Sequence, residues 1–484
     1  MTDSMDSKEE AGGSAPVPLV VDIDGTLART DLLHEAALQF VSRHPLETWR
    51  LIQWALSGKV RLKAALAERI DHSGNEVPLD EQVLSIIRQA QAEGRPVYLA
   101  SASHGRYVEQ IADRIGGIAG IFATDESRNL SGAHKAACLN QAFGPFGYDY
   151  IGNALVDFDV WRSSRTPMLV STTRRFRDRV TRTFPHAQAV AHNPVTVQAY
   201  LRLLRPHQWA KNLLLFLPLV AGHSFDGASI LRACIAFLCF CMAASSAYII
   251  NDLLDLPGDR AHRRKRLRPL ASGAVPVSHA PPIAFVLLVG ALAGSLILPL
   301  WFSAVLALYV GLTLLYSLYL KRRVLIDVIA LGALYTIRVL GGVAAAGTEE
   351  SPWLMMFSLF LFLSLAIVKR CSELVVQRNA GKTATIGRGY RTEDLAVLVG
   401  LGAAAGYTSV LVIALYIASP EVQMLYRHPE RLWLICPLIL YWISRVLLLS
   451  YRDELHDDPV VFALKDRVSW IVGACAGAVV AFAI

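Results

Sequence analysis

Charge is scarce in this chain. Asp, Glu, Lys and Arg make up 18% of its 484 residues, against 54% hydrophobic, whereas a soluble domain carries about a quarter charged. That deficit excludes a protein surrounded entirely by water. Also missing is any CxxC pair or disulfide framework. Cys138, Cys234, Cys239, Cys241, Cys371, Cys436 and Cys475 stand singly, most of them in apolar runs, and read as reduced packing residues. Met1 to Pro16 is polar, acidic and rich in small residues. It lacks the basic stretch and apolar core of a signal peptide, so residues 1–16 are expected to be disordered and the domain after them cytoplasmic. The length exceeds that of one compact domain, which predicts two units. The apolar residues are unevenly spread: before about residue 195 the sequence reads as mixed α/β, and after it long apolar stretches dominate.

About 20 apolar residues are needed to cross the hydrocarbon core of a bilayer. Such runs occur near 205–222, 229–251, 282–300, 302–320, 324–346, 353–372, 395–418, 432–450 and 469–484, predicting an all-α polytopic domain of about nine helices over 205–484. The net charge is +7, and its placement supplies an independent check. The loops around Arg260 to Arg268, Lys321 to Arg323, Lys369 to Arg391 and Arg445 to Arg467 are basic, whereas those around Asp226, Glu349-Glu350 and Glu421 to Arg431 are not. Nine helices put every basic loop on one side, which the positive-inside rule makes cytoplasmic. The expected setting is a multi-pass protein of the cell inner membrane with its N-terminal domain in the cytoplasm. Its partner surface is the lipid bilayer, and no nucleic-acid partner is expected.

At the end of the second run stands Asn251-Asp252-Leu253-Leu254-Asp255-Leu256-Pro257-Gly258-Asp259. Asn251, Asp255 and Asp259 recur every four residues, which on a helix stacks them on one face, although Pro257 is expected to end the helix and carry Asp259 onto the next turn. Clustered carboxylates near a bilayer persist readily when a divalent cation neutralises them, and an all-oxygen set suits Mg²⁺. The bland reading is a solvated helix end. Next comes the basic run from Arg260 to Arg268, including Lys265 and Arg266. Alone it signals topology or lipid headgroups; beside three acids it fits a metal-bound polyphosphate. Further polar residues fall at helix ends on the same side: Lys211 and Asn212, Tyr316 and Lys321, Asp327, Lys369 and Arg370, and Asp466 and Arg467. Arg338 lies well inside a run, where an ion faces a cavity or a partner, and Asp327 is its nearest acid in that run.

This pattern resembles the UbiA superfamily of prenyltransferases over about residues 198–484. Within the superfamily, three segments look like the decaprenyl-phosphate phosphoribosyltransferase subgroup: Arg205 to Asn212, Asp259 through Arg268-Pro269 to Gly273, and Tyr316 to Lys321 followed by Asp327 and Arg338. Lys369-Arg370 and Leu464-Lys465-Asp466-Arg467 fit it too. The resemblance implies transfer of ribose 5-phosphate from phosphoribosyl diphosphate to a polyprenyl phosphate, with Mg²⁺ and release of diphosphate. Asn251, Asp255 and Asp259 would hold the magnesium diphosphate. Lys211, Lys265, Arg266, Arg268, Tyr316, Lys321 and Arg338 would contact phosphates or sugar, with Asn212, Asp327, Lys369, Arg370, Asp466 and Arg467 in the same substrate-binding set. Aromatic prenyltransferases of the superfamily carry a second aspartate-rich motif, for which this chain offers Asp327 only. The alternative, attachment of a polyprenyl chain from a prenyl diphosphate to an aromatic or quinone-precursor acceptor, is correspondingly disfavoured.

The N-terminal half opens with an apolar run, Pro18 to Val21, that reads as a buried parallel strand. It delivers Asp22 and Asp24, followed by Gly25 and Thr26. Two carboxylates at a strand end can divide labour, one attacking and the other handling a proton. A second strand, Val97 to Ala100, ends at Ser101, with Ser103 as a rival phosphate binder. Lys135 starts a helix, and a third strand ending at Gly152-Asn153 leads to Asp157. This order resembles the haloacid dehalogenase (HAD) superfamily over about 17–190: an α/β fold with a Rossmann-like parallel sheet and a small helical cap at about 32–78. By that resemblance Asp22 is the nucleophile, Asp24 the general acid/base, and Ser101 and Lys135 stabilise the phosphoryl group. Asp22, Asp24 (through its carbonyl) and Asp157 would hold Mg²⁺. Asn153 replaces the aspartate found there in many members, at the loss of a charge. Residues 191–204 read as a linker or amphipathic segment. Together the halves imply a two-step enzyme: the membrane half makes a lipid-linked phosphomonoester and the other half cleaves it. A lipid-binding scaffold, with its acids and bases serving only topology, is the non-enzymatic alternative.

Overall fold

A computed structural model describes residues 16–70, 77–125, 128–171, 173–192, 194–222, 225–262, 264–347, 351–381, 383, 389–420, 422, 426–455 and 458–484. Residues 1–15 of the stretch 1–16 expected to be disordered, Arg263 and the loop at Glu349-Glu350 lie outside the described residues. The chain divides into two compact units. One holds the residues up to Leu203 together with Asp252–Pro282; the other holds Leu204–Asn251 with Ile283–Ile484. The segment Asp252–Pro282, which the hydropathy pattern assigns to the apolar half, thus groups with the first unit.

The first unit is built on six parallel strands: β1 (Leu19–Asp22), β2 (Val97–His104), β3 (Gly120–Thr124), β4 (Asp149–Gly152), β5 (Pro167–Ser171) and β6 (Gln188–His192). They lie in the order β3-β2-β1-β4-β5-β6. β1 is fully buried, because its Leu-Val-Val run is covered on both faces, as parallel strands require. The chain order reverses beside β1, and ligands of open α/β sheets bind outside the strand ends at such a switch point. Asp22 closes β1 there. Between β1 and β2 the chain inserts α1 (Leu32–Arg43), α2 (Trp49–Leu56) and α3 (Lys59–Arg69). Asp31 caps α1, accepting from the Leu33 and His34 amides, a common way of satisfying the orphan donors of a first turn. After α4 (Glu81–Ala92) and α5 (Gly105–Ile115), α6 (Ala133–Phe143) places Lys135 in its first turn. β2 runs past its predicted end at Ala100 to His104, with a register shift between those residues. Both Ser101 and Ser103 therefore sit on an irregular strand rather than on a turn. The helices α7 (Phe158–Trp161), α8 (Arg174–Thr183) and α9 (Val197–Leu204) complete this half.

Among the described residues, seven helical stretches are long and apolar enough to cross a membrane: Gly227–Leu254, Val277–Ser295, Leu300–Leu318, Ile326–Ala346, Pro352–Asn379, Thr392–Ile417 and Pro429–Tyr451. An eighth appears if Pro459–Lys465 and Arg467–Ala483, bent by 81°, form one span. The first of the nine predicted runs takes another form, a 3-10 helix at Pro206–Phe216 followed by the short helix Leu217–Ala221. Pro206 and Pro218 stand at the starts of these two pieces, where proline removes donors that a continuous helix would use. Small residues let the helices approach closely. A Cβ on Gly342 would lie 2.2 Å from the carbonyl of Leu215, and one on Gly406 would lie 2.6 Å from Ile443, contacts of the kind that hold membrane helices together.

Candidate functional site

In the first unit, five sequence-predicted residues, Asp22, Asp24, Ser101, Ser103 and Lys135, converge at the end of β1. The Lys135 Nζ donates to Asp22 Oδ1 at 2.6 Å and to Tyr150 Oη at 3.0 Å, and Thr26 Oγ1 donates to the other oxygen of Asp22 at 3.1 Å. Asp24 Oδ2 accepts from both Ser101 Oγ (2.7 Å) and Ser103 Oγ (2.8 Å), while its Oδ1 accepts from the Leu32 amide at 2.9 Å. The two serines thus hold one carboxylate together. Burial pushes the Asp22 carboxyl up to about 7, with Lys135 pulling it down and Asp157 and Asp24 pushing it further up. Burial also raises Asp24, with Asp31 adding to the effect against the hydrogen bonds from Leu32, Ser101 and Ser103. Lys135 loses hydration by burial, yet Asp22 and Asp157 outweigh this and hold it above the usual lysine range. Of the two acids, Asp22 has a lysine on one carboxylate oxygen and Asp24 is held by neutral donors. That division suits one nucleophile and one proton carrier.

Asp157 is occupied differently from expectation. Its Oδ2 accepts from the amides of Asn153 (3.0 Å) and Ala154 (2.9 Å), and its Oδ1 from Tyr150 Oη at 2.8 Å. It ties down the loop after β4. Asn153, in turn, lies against the loop after β1: a Cβ on Gly25, a residue at φ +75°, would stand 2.1 Å from the Asn153 Nδ2. Among the described residues no three His, Cys, Asp or Glu side chains gather as a metal site. Lys63, from α3 of the insert, was not singled out in the sequence. Its buried Nζ donates to the Ala102 carbonyl and to Asn129 Oδ1, both at 2.5 Å. Lys63 lies between Leu62 and Ala64 on an amphipathic helix and carries no motif that would mark it.

The acidic turn in the same unit departs from a single helical face. The helix beginning at Gly227 ends at Leu254, Asp255 is the junction, and Asp259 lies on the following helix, Leu256–Ala261. Asp259 pairs with Arg268 and, at 3.9 Å, with Lys265, while Arg268 also reaches Asp252 at 3.2 Å. Asp252 was missed because it falls off the four-residue repeat, yet it is buried, as is Asp259. Arg266 is exposed. Within this unit the turn is anchored to α1: Arg260 Nη1 and Nη2 meet Glu35 at 2.7 and 2.5 Å, both side chains buried.

The second unit carries two buried polar clusters. In one, Asp458 accepts from Lys211 Nζ (2.7 Å) and Lys369 Nζ (3.0 Å) on Oδ2 and from Tyr335 Oη (2.8 Å) on Oδ1. Arg338 donates to Asn212 Oδ1 and Tyr309 Oη, each at 2.9 Å, and to the Leu334 carbonyl. In the other, Asp327 accepts from Arg370 at 2.6 Å and Tyr390 at 2.5 Å, and Arg370 also donates to Tyr316 at 3.0 Å. The partner of Arg338 is thus an amide and tyrosines, and Asp327 belongs to Arg370. Asp466 is taken up by Arg445 (2.8 and 3.1 Å) and by capping Ser469. Lys321 stands half-buried at a helix end and Arg467 is exposed. Asp458 was also missed, since before Pro459 it reads as a helix cap, a role it does fill toward the Val460 amide. Removing one member of a buried ion pair costs about 3–5 kcal/mol. Asp458→Asn is therefore expected to lower the unfolding free energy in micelles by about that amount, read from denaturant titration.

Comparison with known proteins assigns both halves. Residues 213–468 match the UbiA prenyltransferase family, and residues 19–159 match the haloacid dehalogenase-like hydrolases. The chain is 36% identical to the uncharacterized protein y4nM of Sinorhizobium fredii, over 95% of this chain and 89% of that one. It is 32% identical to a decaprenyl-phosphate phosphoribosyltransferase of Mycolicibacterium smegmatis, over 59% of this chain and 92% of the relative. A solved UbiA homolog from Archaeoglobus fulgidus bound to GPP and Mg²⁺ aligns with a TM-score of 0.46 at 20% identity, covering 58% of this chain and 99% of that one. The chain belongs to the UbiA prenyltransferase family, as a multi-pass membrane transferase with a haloacid dehalogenase-like domain at its N-terminal end.

Proposed function

We propose that the chain moves a phosphoribosyl group from phosphoribosyl diphosphate to a polyprenyl phosphate and then removes the 5-phosphate, leaving polyprenyl-phosphoryl ribose. In the first step a lipid phosphate oxygen attacks the anomeric carbon, and the bond to the diphosphate breaks with its electron pair. No protein nucleophile is required, so catalysis rests on positioning and on stabilising the leaving group. The observation that carries this reading is the acidic turn, where Asp252 and Asp259 share Arg268, with Lys265 close by. Buried acids and cations in exchangeable pairs suit a metal-bound diphosphate: the acids take the metal and the freed cations take phosphate oxygens. The donors are all oxygen, the kind Mg²⁺ takes, though among the described residues no three of these acids are gathered around one point. Asn251, Asp255 and Asp259, with Asp252 added, would hold the metal, and its chemistry there is charge neutralisation on the leaving diphosphate. Lys211, Asn212, Tyr316, Lys321, Asp327, Arg338, Lys369, Arg370, Asp466 and Arg467 remain the proposed substrate set of the membrane unit, with Arg266 on the basic run. The phosphoribosyltransferase of M. smegmatis supports this choice over aromatic prenylation.

In the second step the Asp22 carboxylate attacks phosphorus, the ester bond breaks, and Asp24 protonates the departing 5-oxygen. Water then releases phosphate as Asp24 takes a proton back. Lys135 and Ser101 or Ser103 hold the phosphoryl oxygens. Asp22, the Asp24 carbonyl and Asp157 would hold Mg²⁺ here, with the Asn153 side chain beside Gly25. We place the protein in the cell inner membrane with the phosphatase domain in the cytoplasm. Purified protein given labelled phosphoribosyl diphosphate and a polyprenyl phosphate tests the first step directly: absence of labelled lipid rejects it. A pH profile tests the second. Asp22 must be anionic to attack, and burial raises it to about 7, so the rate should fall as pH drops below that value at low Mg²⁺. A cation beside a carboxylate favours its charged form, so raising Mg²⁺ should move this limb to lower pH. A limb indifferent to Mg²⁺ would argue against metal at Asp22.

A further inference from the structure

The insert of the first unit exposes a surface that a water-soluble phosphatase has no use for. In α2, Trp49 to Leu56, only Arg50 and Gln53 are polar. Leu51 and Trp54 turn inward onto the hydrophobic core, Trp54 against Phe40 at 5.1 Å. The opposite side is apolar as well: Trp49 is 59% exposed, Ile52 66% and Leu56 85%, with Leu46 at 85% just ahead of the helix. Positions 49, 52 and 56 fall on one helical face. Single exposed leucines need no explanation, but four large apolar side chains in one patch mark an interaction surface.

We propose that this face seats in the interfacial layer of the bilayer. Charge selects that occupant. Between residues 43 and 61 four cations, Arg43, Arg50, Lys59 and Arg61, accompany a single carboxylate, Glu47. That carboxylate is neutralised by Arg50 at 3.1 Å and Arg69 at 3.0 Å. The patch therefore presents apolar side chains rimmed by positive charge, which complements anionic headgroups. Trp49, with the Arg50 guanidinium over its ring at 5.6 Å, is the residue type that prefers the headgroup level. A bilayer is always at hand, because the same chain carries seven or more apolar helices of membrane-spanning length. The lipid contact stands on this surface alone. Its consequence, that the insert offers a lipid-borne phosphomonoester to Asp22, rests on the phosphatase reading above.

Two measurements on the full-length protein separate these claims. A benzophenone amino acid at Leu56, irradiated in phosphatidylglycerol-rich nanodiscs, is expected to give phospholipid adducts by mass spectrometry, with fewer in neutral phosphatidylcholine. Adducts to a second copy of the chain, or none to lipid, overturn the proposal. The Ile52→Glu/Leu56→Glu variant is expected to lose roughly tenfold in kcat/KM on a lipid-linked phosphomonoester in vesicles, while its turnover of p-nitrophenyl phosphate changes by less than about twofold. Equal loss on both substrates, or on neither, overturns the catalytic consequence. Absence of phosphatase activity in the unmodified protein defeats only the phosphatase reading, and the cross-link still decides the lipid contact.

Discussion

Asp22→Asn protein, supplied with phosphoribosyl diphosphate and a polyprenyl phosphate, should accumulate the phosphorylated lipid that, on the proposed two-step reaction, the unmodified enzyme converts onward. The substitution keeps the shape of the side chain and removes the attacking charge. Removing a nucleophile in a site that acts as a unit costs several orders of magnitude, so dephosphorylation is expected to fall at least about a thousandfold. Transfer to the lipid is expected to stay intact. The Asp24→Asn variant should lose a smaller factor, about a hundredfold to ten-thousandfold, as expected for a general acid/base. One complication is structural. Lys135 is buried with Asp22 at 2.6 Å; once that anion is gone its nearest carboxylate is Asp157 at 3.9 Å, beside the neutral Tyr150 hydroxyl at 3.0 Å and Ala100 carbonyl at 3.3 Å. A thermal melt of the variant therefore belongs beside the assay, because a buried lysine left short of a partner destabilises its surroundings. Full dephosphorylation by a folded Asp22→Asn protein would remove Asp22 from the chemistry.

The two halves were legible in the sequence to different depths. A buried parallel strand announces itself as an apolar run ending in polar residues, so β1 and its two aspartates could be placed before any coordinates. Lys135 followed, since a helix start after a strand is a local feature. Lys63 was not legible, because what brings it to Ala102 and Asn129 is the folding of the insert over the sheet, and no spacing along α3 reports that. In the apolar half, hydropathy finds helices but not partners. Arg338 and Asp327 share a helix and suggested each other, yet Asn212 and Tyr309 satisfy the first and Arg370 the second. Asp458 shows the same limit. It sits 247 residues from Lys211, and such a pair is fixed by helix packing, which a hydrophobic run leaves undetermined. The 3-10 form of Pro206–Phe216 is the converse case, since composition alone predicted a spanning helix and the prolines decided otherwise.

Transfer to the lipid should depend most steeply on the acidic turn. Asp259→Asn is expected to lower formation of labelled lipid by about a hundredfold or more at saturating phosphoribosyl diphosphate, and to raise the Mg²⁺ concentration needed for half-maximal rate. The reason is electrostatic. Asp259 is buried and pairs with Arg268 and Lys265, so its charge organises two cations as well as any metal. Neutralising it would remove a proposed metal ligand and leave Arg268 with Asp252 as its carboxylate. Asp252→Asn should do less, about tenfold to a hundredfold, as is usual for a group that orients others. Arg268→Lys separates the two roles of that residue. One nitrogen, Nη1, meets both Asp252 and Asp259, so a lysine can supply the charge and that double contact but not the remaining guanidinium donors; a rate kept in Arg268→Lys with weaker affinity for the donor would place those remaining donors on the substrate. Unchanged Mg²⁺ dependence in Asp259→Asn would mean that the cation, and the diphosphate with it, is held elsewhere. The site that stabilises the leaving diphosphate would then have to be sought in the buried cluster of Lys211, Lys369 and Asp458.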